Sequence, residues 1–176
     1  MAPFTGQFTQ QEPITDEAID AAIEVLRAGR LHRYNTLGDE AGAAAELEAA
    51  YAAYQGAKYC LACASGGAAM ALALRAAGVK LDDPAAAGVT LIEDCAHTMG
   101  ATWDGKKSGN FGIAGCFSTQ TYKHLNSGEG GLLTSDDAEF MARAIMMSGS
   151  YMLYARHGAA PAEEVFQRVR LDMPNM

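Results

Sequence analysis

Leu91-Ile92-Glu93-Asp94 closes an apolar run that starts at Val89, and Ala114-Gly115-Cys116-Phe117-Ser118 forms a second run shortly afterwards. The first run is short and continuous, which predicts a buried parallel strand over residues 89–94. Its last residue, Asp94, then emerges at the C-terminal edge of a sheet, where α/β folds hold their ligands. Lys123 follows the second run and precedes Gly128-Glu129-Gly130-Gly131, a turn with room for a bulky group beside the backbone. An acid and an amine therefore share one short span.

Upstream of this span, Thr15 can cap a helix whose Ile19, Ala22, Ile23 and Leu26 recur on one face until Gly29, the pattern of an amphipathic packing helix. Residues 30–38 read as a solvated loop. A second helix is predicted over residues 39–55, with Leu47, Tyr51 and Tyr54 on one side, Glu46 and Glu48 beside them, and Gly56 as its stop. Residues 57–63 read as a strand, and Ala64-Ser65-Gly66-Gly67 turns the chain into a helix over residues 68–77. A strand that enters a helix through small residues leaves backbone N–H groups and the positive dipole end exposed. Ser65, Gly66 and Gly67 thus line a candidate phosphate cradle, although its spacing matches neither the P-loop nor the dinucleotide fingerprint.

Downstream, Asp104-Gly105 is a hairpin turn that leaves Lys106 and Lys107 solvated. Residues 132–135 read as the last strand. Ser135 or Asp136 caps a helix that runs to Met147 with Phe140, Met141, Ala144 and Ile145 on its core face, and residues 163–169 form a short helix. Strands alternating with helices predict an α/β fold, a mostly parallel sheet with flanking helices.

With 176 residues, 49% of them hydrophobic and 19% charged, the chain suits a single globular domain over residues 1–176. A net charge of −8 with no basic cluster larger than Lys106-Lys107 speaks against nucleic acid as a partner. No run reaches transmembrane length, and the first residues lack the basic start and apolar centre of a signal peptide, so a cytoplasmic protein without a membrane partner is expected. Cys60, Cys63, Cys95 and Cys116 lie in or beside predicted strands and read as small buried hydrophobes in a reducing compartment. The pair at Cys60 and Cys63 has neither a second pair nor histidines at ligand spacing, so no metal site is predicted.

Singly, a lysine is usually a solvated charge and a strand-end aspartate often a cap. As an ordered set, an amine at Lys123, a carboxylate at Asp94 and a phosphate cradle at Ser65-Gly66-Gly67 are what pyridoxal 5'-phosphate asks of a protein.

The order Ile92-Glu93-Asp94-Cys95-Ala96-His97, Gly109-Asn110-Phe111-Gly112, Cys116-Phe117-Ser118, Lys123 and Gly128-Glu129-Gly130-Gly131 resembles the DegT/StrS family of sugar aminotransferases. The likeness continues upstream through Gly29, Arg33-Tyr34, Gly56-Ala57-Lys58-Tyr59 and Ser65-Gly66. It implies a fold-type I large domain, pyridoxal 5'-phosphate as cofactor and a homodimer. It further implies that Lys123 and Asp94 are catalytic, Lys123 joining the cofactor aldehyde and moving a proton while Asp94 pairs with the ring nitrogen. His97 would lie against the ring or its hydroxyl, Ser118 and the Ser65-Gly66-Gly67 turn would hold the phosphate, and Asn175 would reach the phosphate of the neighbouring subunit's cofactor.

The reaction so implied moves an amine from an amino acid, commonly glutamate, to a keto-sugar carried on a nucleotide. Lys123 favours this over hydroxyl removal, because relatives that dehydrate such sugars carry histidine there. The chain departs from the family in three places: a central block between Val79 and Pro84, the small C-terminal domain, and Gly67, where threonine is usual. That shortness implies an alternative, an inactive truncated relative serving as a structural or partner-binding subunit; a pyridoxal phosphate-dependent sugar dehydratase is another.

Overall fold

The computed structural model describes residues 13–78, 90–150 and 152–171. Helix α1 (Asp16–Ala28) begins at Thr15, whose hydroxyl accepts from the Ala18 N–H, and ends at Gly29 in the left-handed region. Helix α2 (Ala43–Gln55) leads through Gly56 to strand β1 (Tyr59–Cys63), and Ser65 caps α3 (Gly66–Ala76). Strand β2 (Ile92–Asp94) is followed by a small hairpin of β3 (Thr102–Trp103) and β4 (Lys106–Lys107), turned by Asp104 and Gly105 at positive φ. Strands β5 (Ala114–Ser118) and β6 (Gly131–Ser135) complete the sheet; α4 (Ala138–Met147), a 3-10 turn (Tyr154–Arg156) and α5 (Glu163–Leu171) follow.

The main sheet runs β1-β6-β5-β2. Alternation along its strands sends side chains to two cores. Leu61, Ala114, Cys116 and Leu133 meet α3, α4 and α5 on one face, with Phe140, Met141, Ile145 and Phe166. Cys60, Phe117 and Leu132 meet Tyr51 and Ala52 of α2 on the other. Every residue of β5 and β6 is buried, so the two central strands carry the site from below.

Several expectations are corrected. The sheet is not mostly parallel: β1 with β6 and β5 with β6 are antiparallel, and β2 with β5 alone is parallel. The cause lies in residues 119–130, which fold back on themselves through Thr119 N–H to Gly130 O and Thr121 N–H to Gly128 O, each 2.9 Å. A connection closed in that way returns β6 beside β5 without the crossover that parallel pairing needs. Strand β2 is half-exposed rather than buried, and Val89 lies outside the described residues.

Helix α1 buries none of its residues, and Ile19 and Leu26 of its apolar face are exposed. Helix α2 starts at Ala43 and turns Ala45, Glu48, Tyr51, Ala52 and Gln55 inward, leaving Leu47 and Tyr54 outside. Its packing neighbour is a backbone: a Cβ at Gly158 would stand 2.6 Å from the Ala45 carbonyl carbon, so the face toward that segment must be small. The cap of α4 is Asp137, because Ser135 belongs to β6 and its hydroxyl donates to Ile113 O. Lys106 and Lys107 are not simply solvated. The Lys107 ammonium donates to the Tyr54 carbonyl and lies 3.9 Å from that ring's centroid, and Lys106 stands 5.0 Å from the Phe111 ring. The loop over residues 30–38 is anchored, with Arg33 gripping Glu48. Among the described residues, no helix is long and apolar enough to cross a membrane.

Candidate active site

Strands β2 and β5 are parallel, with Asp94 opposite Cys116, so Asp94 and Ser118 stand at the same C-terminal edge. The exposed Asp94 carboxylate accepts from the Ala96 N–H at 3.1 Å, starting the turn that carries His97 outward. His97 Nε2 lies 2.8 Å from Lys123 Nζ. Lys123 is half-buried on the 119–130 loop, which Thr119 and Ser127 fasten through hydroxyls 2.7 Å apart. Tyr122, immediately before it, sits at φ 76°, a conformation costly for an aromatic residue.

The candidate cradle is built from the other side. Ser65 caps α3, accepting from the Ala68 N–H at 3.0 Å, and Gly66 and Gly67 form the first helical turn rather than a separate loop. Gly66 is pressed against Ser118: a Cβ there would stand 2.8 Å from the Ser118 Cβ. A Cβ on Gly131 would come within 2.4 Å of the Ser65 carbonyl oxygen. The two glycines let the start of α3 lie directly on the ends of β5 and β6. Gly67 is exposed, and a Cβ there would meet nothing nearer than the Ser65 hydroxyl at 3.7 Å.

Of the residues singled out from sequence, Ser65, Gly66 and Ser118 are thus in one contact group and His97 and Lys123 in another, with Asp94 on the strand that leads into His97. Asn175 lies outside the described residues. Sequence reasoning missed Glu93, whose carboxylate accepts from the backbone N–H groups of Gly109, Phe111 and Gly112. The signal available was an acid inside an apolar strand, on the face opposite Asp94. A cavity of about 390 Å³ lies elsewhere, beside Ala64 and Ala68, with Arg33 and Arg75 in its wall. Neither Asp94, His97 nor Lys123 lines it.

The four cysteines are free, and burial pushes the Cys63 and Cys116 thiols up to about 12 and Cys60 well above its usual range. They remain protonated and pack as small apolar groups.

Comparison with known proteins defines the class. The profile of the DegT/DnrJ/EryC1/StrS aminotransferase family matches residues 12–86 and 81–169, and the chain belongs to that family. Over 57 residues, 32% of this chain and 13% of the relative, it is 53% identical to an L-glutamine:scyllo-inosose aminotransferase of Streptomyces griseus. The fold is that of Helicobacter pylori PseC, an aminotransferase of pseudoaminic acid biosynthesis, at TM-score 0.66 and 16% identity, covering 93% of this chain and 64% of that one. It also matches an E. coli GDP-4-keto-6-deoxy-D-mannose-3-dehydratase solved with hydrated PLP, at TM-score 0.60 and 18% identity, over 79% and 53% of the two chains. The chain therefore spans less than two thirds of the length of each of these relatives.

Proposed function

We propose that this chain forms the cofactor-binding part of a pyridoxal phosphate-dependent aminotransferase acting on a ketone of a sugar or sugar-like ring. The observation that carries the reading is the Lys123 amine, hydrogen-bonded to His97 at 2.8 Å at the sheet edge that also bears Asp94. The donor set suits the group. Ser65, Ser118 and the N–H groups that open an 11-residue helix are neutral donors fit for a phosphate, and the two tight glycine contacts keep that corner free of side chains. Asp94, an acceptor at an exposed strand end, suits a protonated ring nitrogen, and the Lys123 primary amine suits an aldehyde.

When bound, pyridoxal phosphate supplies an aldehyde that takes up the amine and a ring that withdraws the electron pair left by proton removal. The protein's part is positional and acid–base. Ser65, Gly66, Gly67 and Ser118 hold the phosphate end, Asp94 keeps the ring nitrogen protonated, and His97 orients the Lys123 amine. In the first half-reaction Lys123 would take the proton from the donor's α-carbon and hand it to the cofactor, and in the second it would move a proton from the cofactor to the acceptor carbon, so a single base would serve both.

For the donor and acceptor, the resemblance to the family suggests glutamate and a nucleotide-linked keto-sugar. The name of the 53% identical relative favours glutamine and a keto-cyclitol. We infer a homodimer from the family resemblance alone; light scattering tests it.

The deciding experiment is the visible absorption of protein mixed with pyridoxal phosphate. A band present in the wild type and absent in Lys123→Ala is expected, bleached by glutamine or glutamate. The same spectrum in both proteins would leave the chain as a structural or partner-binding subunit.

A further inference from the structure

We infer that Glu93 is a positioning residue for Asp94, acting by clamping β2 to the loop over residues 109–112, which lies over Gly115 and Phe117 of β5 on the α2 face of the sheet; this rests on the functional reading above. Strand β2 is three residues long and has β5 as its one strand neighbour among the described residues. So short a strand, held along one edge, does not by itself fix the direction of a side chain at its last position. The brace comes from Glu93. Its Oε1 accepts from the Phe111 N–H at 2.6 Å and the Gly112 N–H at 2.8 Å, and its Oε2 from the Gly109 N–H at 2.8 Å.

The loop it holds is itself immobilised against the core. Gln55, nearly fully buried, donates to the Ser108 carbonyl at 2.7 Å and to Asn110 Oδ1 at 3.0 Å, and Asn110 returns a bond to the Gln55 carbonyl at 3.0 Å. A Cβ on Gly112 would stand 2.2 Å from the Leu91 carbonyl oxygen, so the loop lies backbone against backbone on the start of β2. Consecutive strand residues point to opposite faces, so Glu93 grips the loop on one side while Asp94 faces the other. Glu93 touches neither Lys123 nor His97 among the described contacts, and its effect on the site passes through Asp94.

The test uses the full chain and four proteins: wild type, Glu93→Gln, Asp94→Asn and the double variant. In cofactor-free protein, amide hydrogen exchange at Gly109, Phe111 and Gly112 is expected to quicken in Glu93→Gln with the thermal melt still cooperative. In the pyridoxal phosphate titration, Glu93→Gln is expected to weaken binding about tenfold, the loss expected of a charge-assisted contact. In the Asp94→Asn background the same change is expected to cost less than about twofold, since coupled residues are not additive. Equal losses in both backgrounds, or no loss with Asp94 intact, would overturn the positioning role while leaving a Lys123-dependent band in place. No such band in the wild type would instead overturn the functional reading, and with it this one.

Discussion

Arg33 and Glu48 form a two-pronged ion pair, both nitrogens 2.8 Å from a carboxylate that is wholly buried. The same carboxylate accepts from the Ala62 N–H at 2.9 Å and the Gly158 N–H at 3.1 Å, so it joins α2, the 30–38 loop, β1 and the segment after the 3-10 turn. Breaking such a pair leaves an uncompensated charge in the interior. Arg33→Ala is expected to lower unfolding free energy by about 3 kcal/mol or more, measured by urea titration at neutral pH. A loss no larger than that of an exposed ion pair would show that Glu48 is held by its backbone donors and His157 without Arg33.

The same group sets a pH dependence. Burial raises the Glu48 pKa, but His157, Arg33 and the Ala62 N–H lower it, and the net shift is downward. A carboxyl depressed in the folded state contributes stability above its unfolded pKa and loses it as pH falls through the folded value. The stability gap between wild type and Glu48→Gln should therefore be widest above the ordinary carboxylate range and shrink on acidification below it. A gap that is constant from pH 7 to pH 3 contradicts this.

Gly131 and Gly67 should respond oppositely to a side chain. At Gly131 an added methyl collides with the Ser65–Gly66 backbone, within 2.3 Å, and neither strand nor helix can yield cheaply. Gly131→Ala is expected to cost about 2 kcal/mol or more in stability and to weaken cofactor binding through the displaced α3 start. Gly67→Thr has room, and its hydroxyl adds a donor beside Ser65, so tighter pyridoxal phosphate binding with little change in melting temperature is expected. Isothermal titration of both variants checks the contrast.

Tyr122 holds φ at 76° immediately before Lys123. Glycine removes the steric cost of that conformation, so Tyr122→Gly should stabilise the fold by about 1 kcal/mol, partly offset by greater freedom of the unfolded chain. Calorimetry gives the sign, and a lower melting temperature would mean that the ring makes contacts that outweigh the strain.

What was legible in the sequence was local. Ser65 before a run of small helix formers, Gly29 and Gly56 after apolar repeats, and Asp104-Gly105 between short runs each encode their turn chemistry within a few residues, and each appears where expected. Asp94 and Ser118, each closing a short apolar run, stand at the same edge because β2 and β5 run parallel. Strand direction was not legible, because it depends on how residues 119–130 fold back, and that is written in hydrogen bonds between loop residues rather than in periodicity. Nor was the interior place of Glu48, whose charge argues for solvent until Arg33 is known to reach it from a different segment. Glu93 was hidden likewise, since its partners are backbone groups sixteen to nineteen residues away.

The two borders of the sheet are unlike. At β1 the bridge to Ala159 takes the Cys60 N–H and Glu48 takes the Ala62 N–H, so the outward donors that a further strand would need are already engaged. Among the described residues the β2 margin is the one with no strand beside it, so enlargement of this sheet is directed there. Any such newcomer would settle alongside Asp94, so architectural growth and the chemistry of the carboxylate are tied to the same flank.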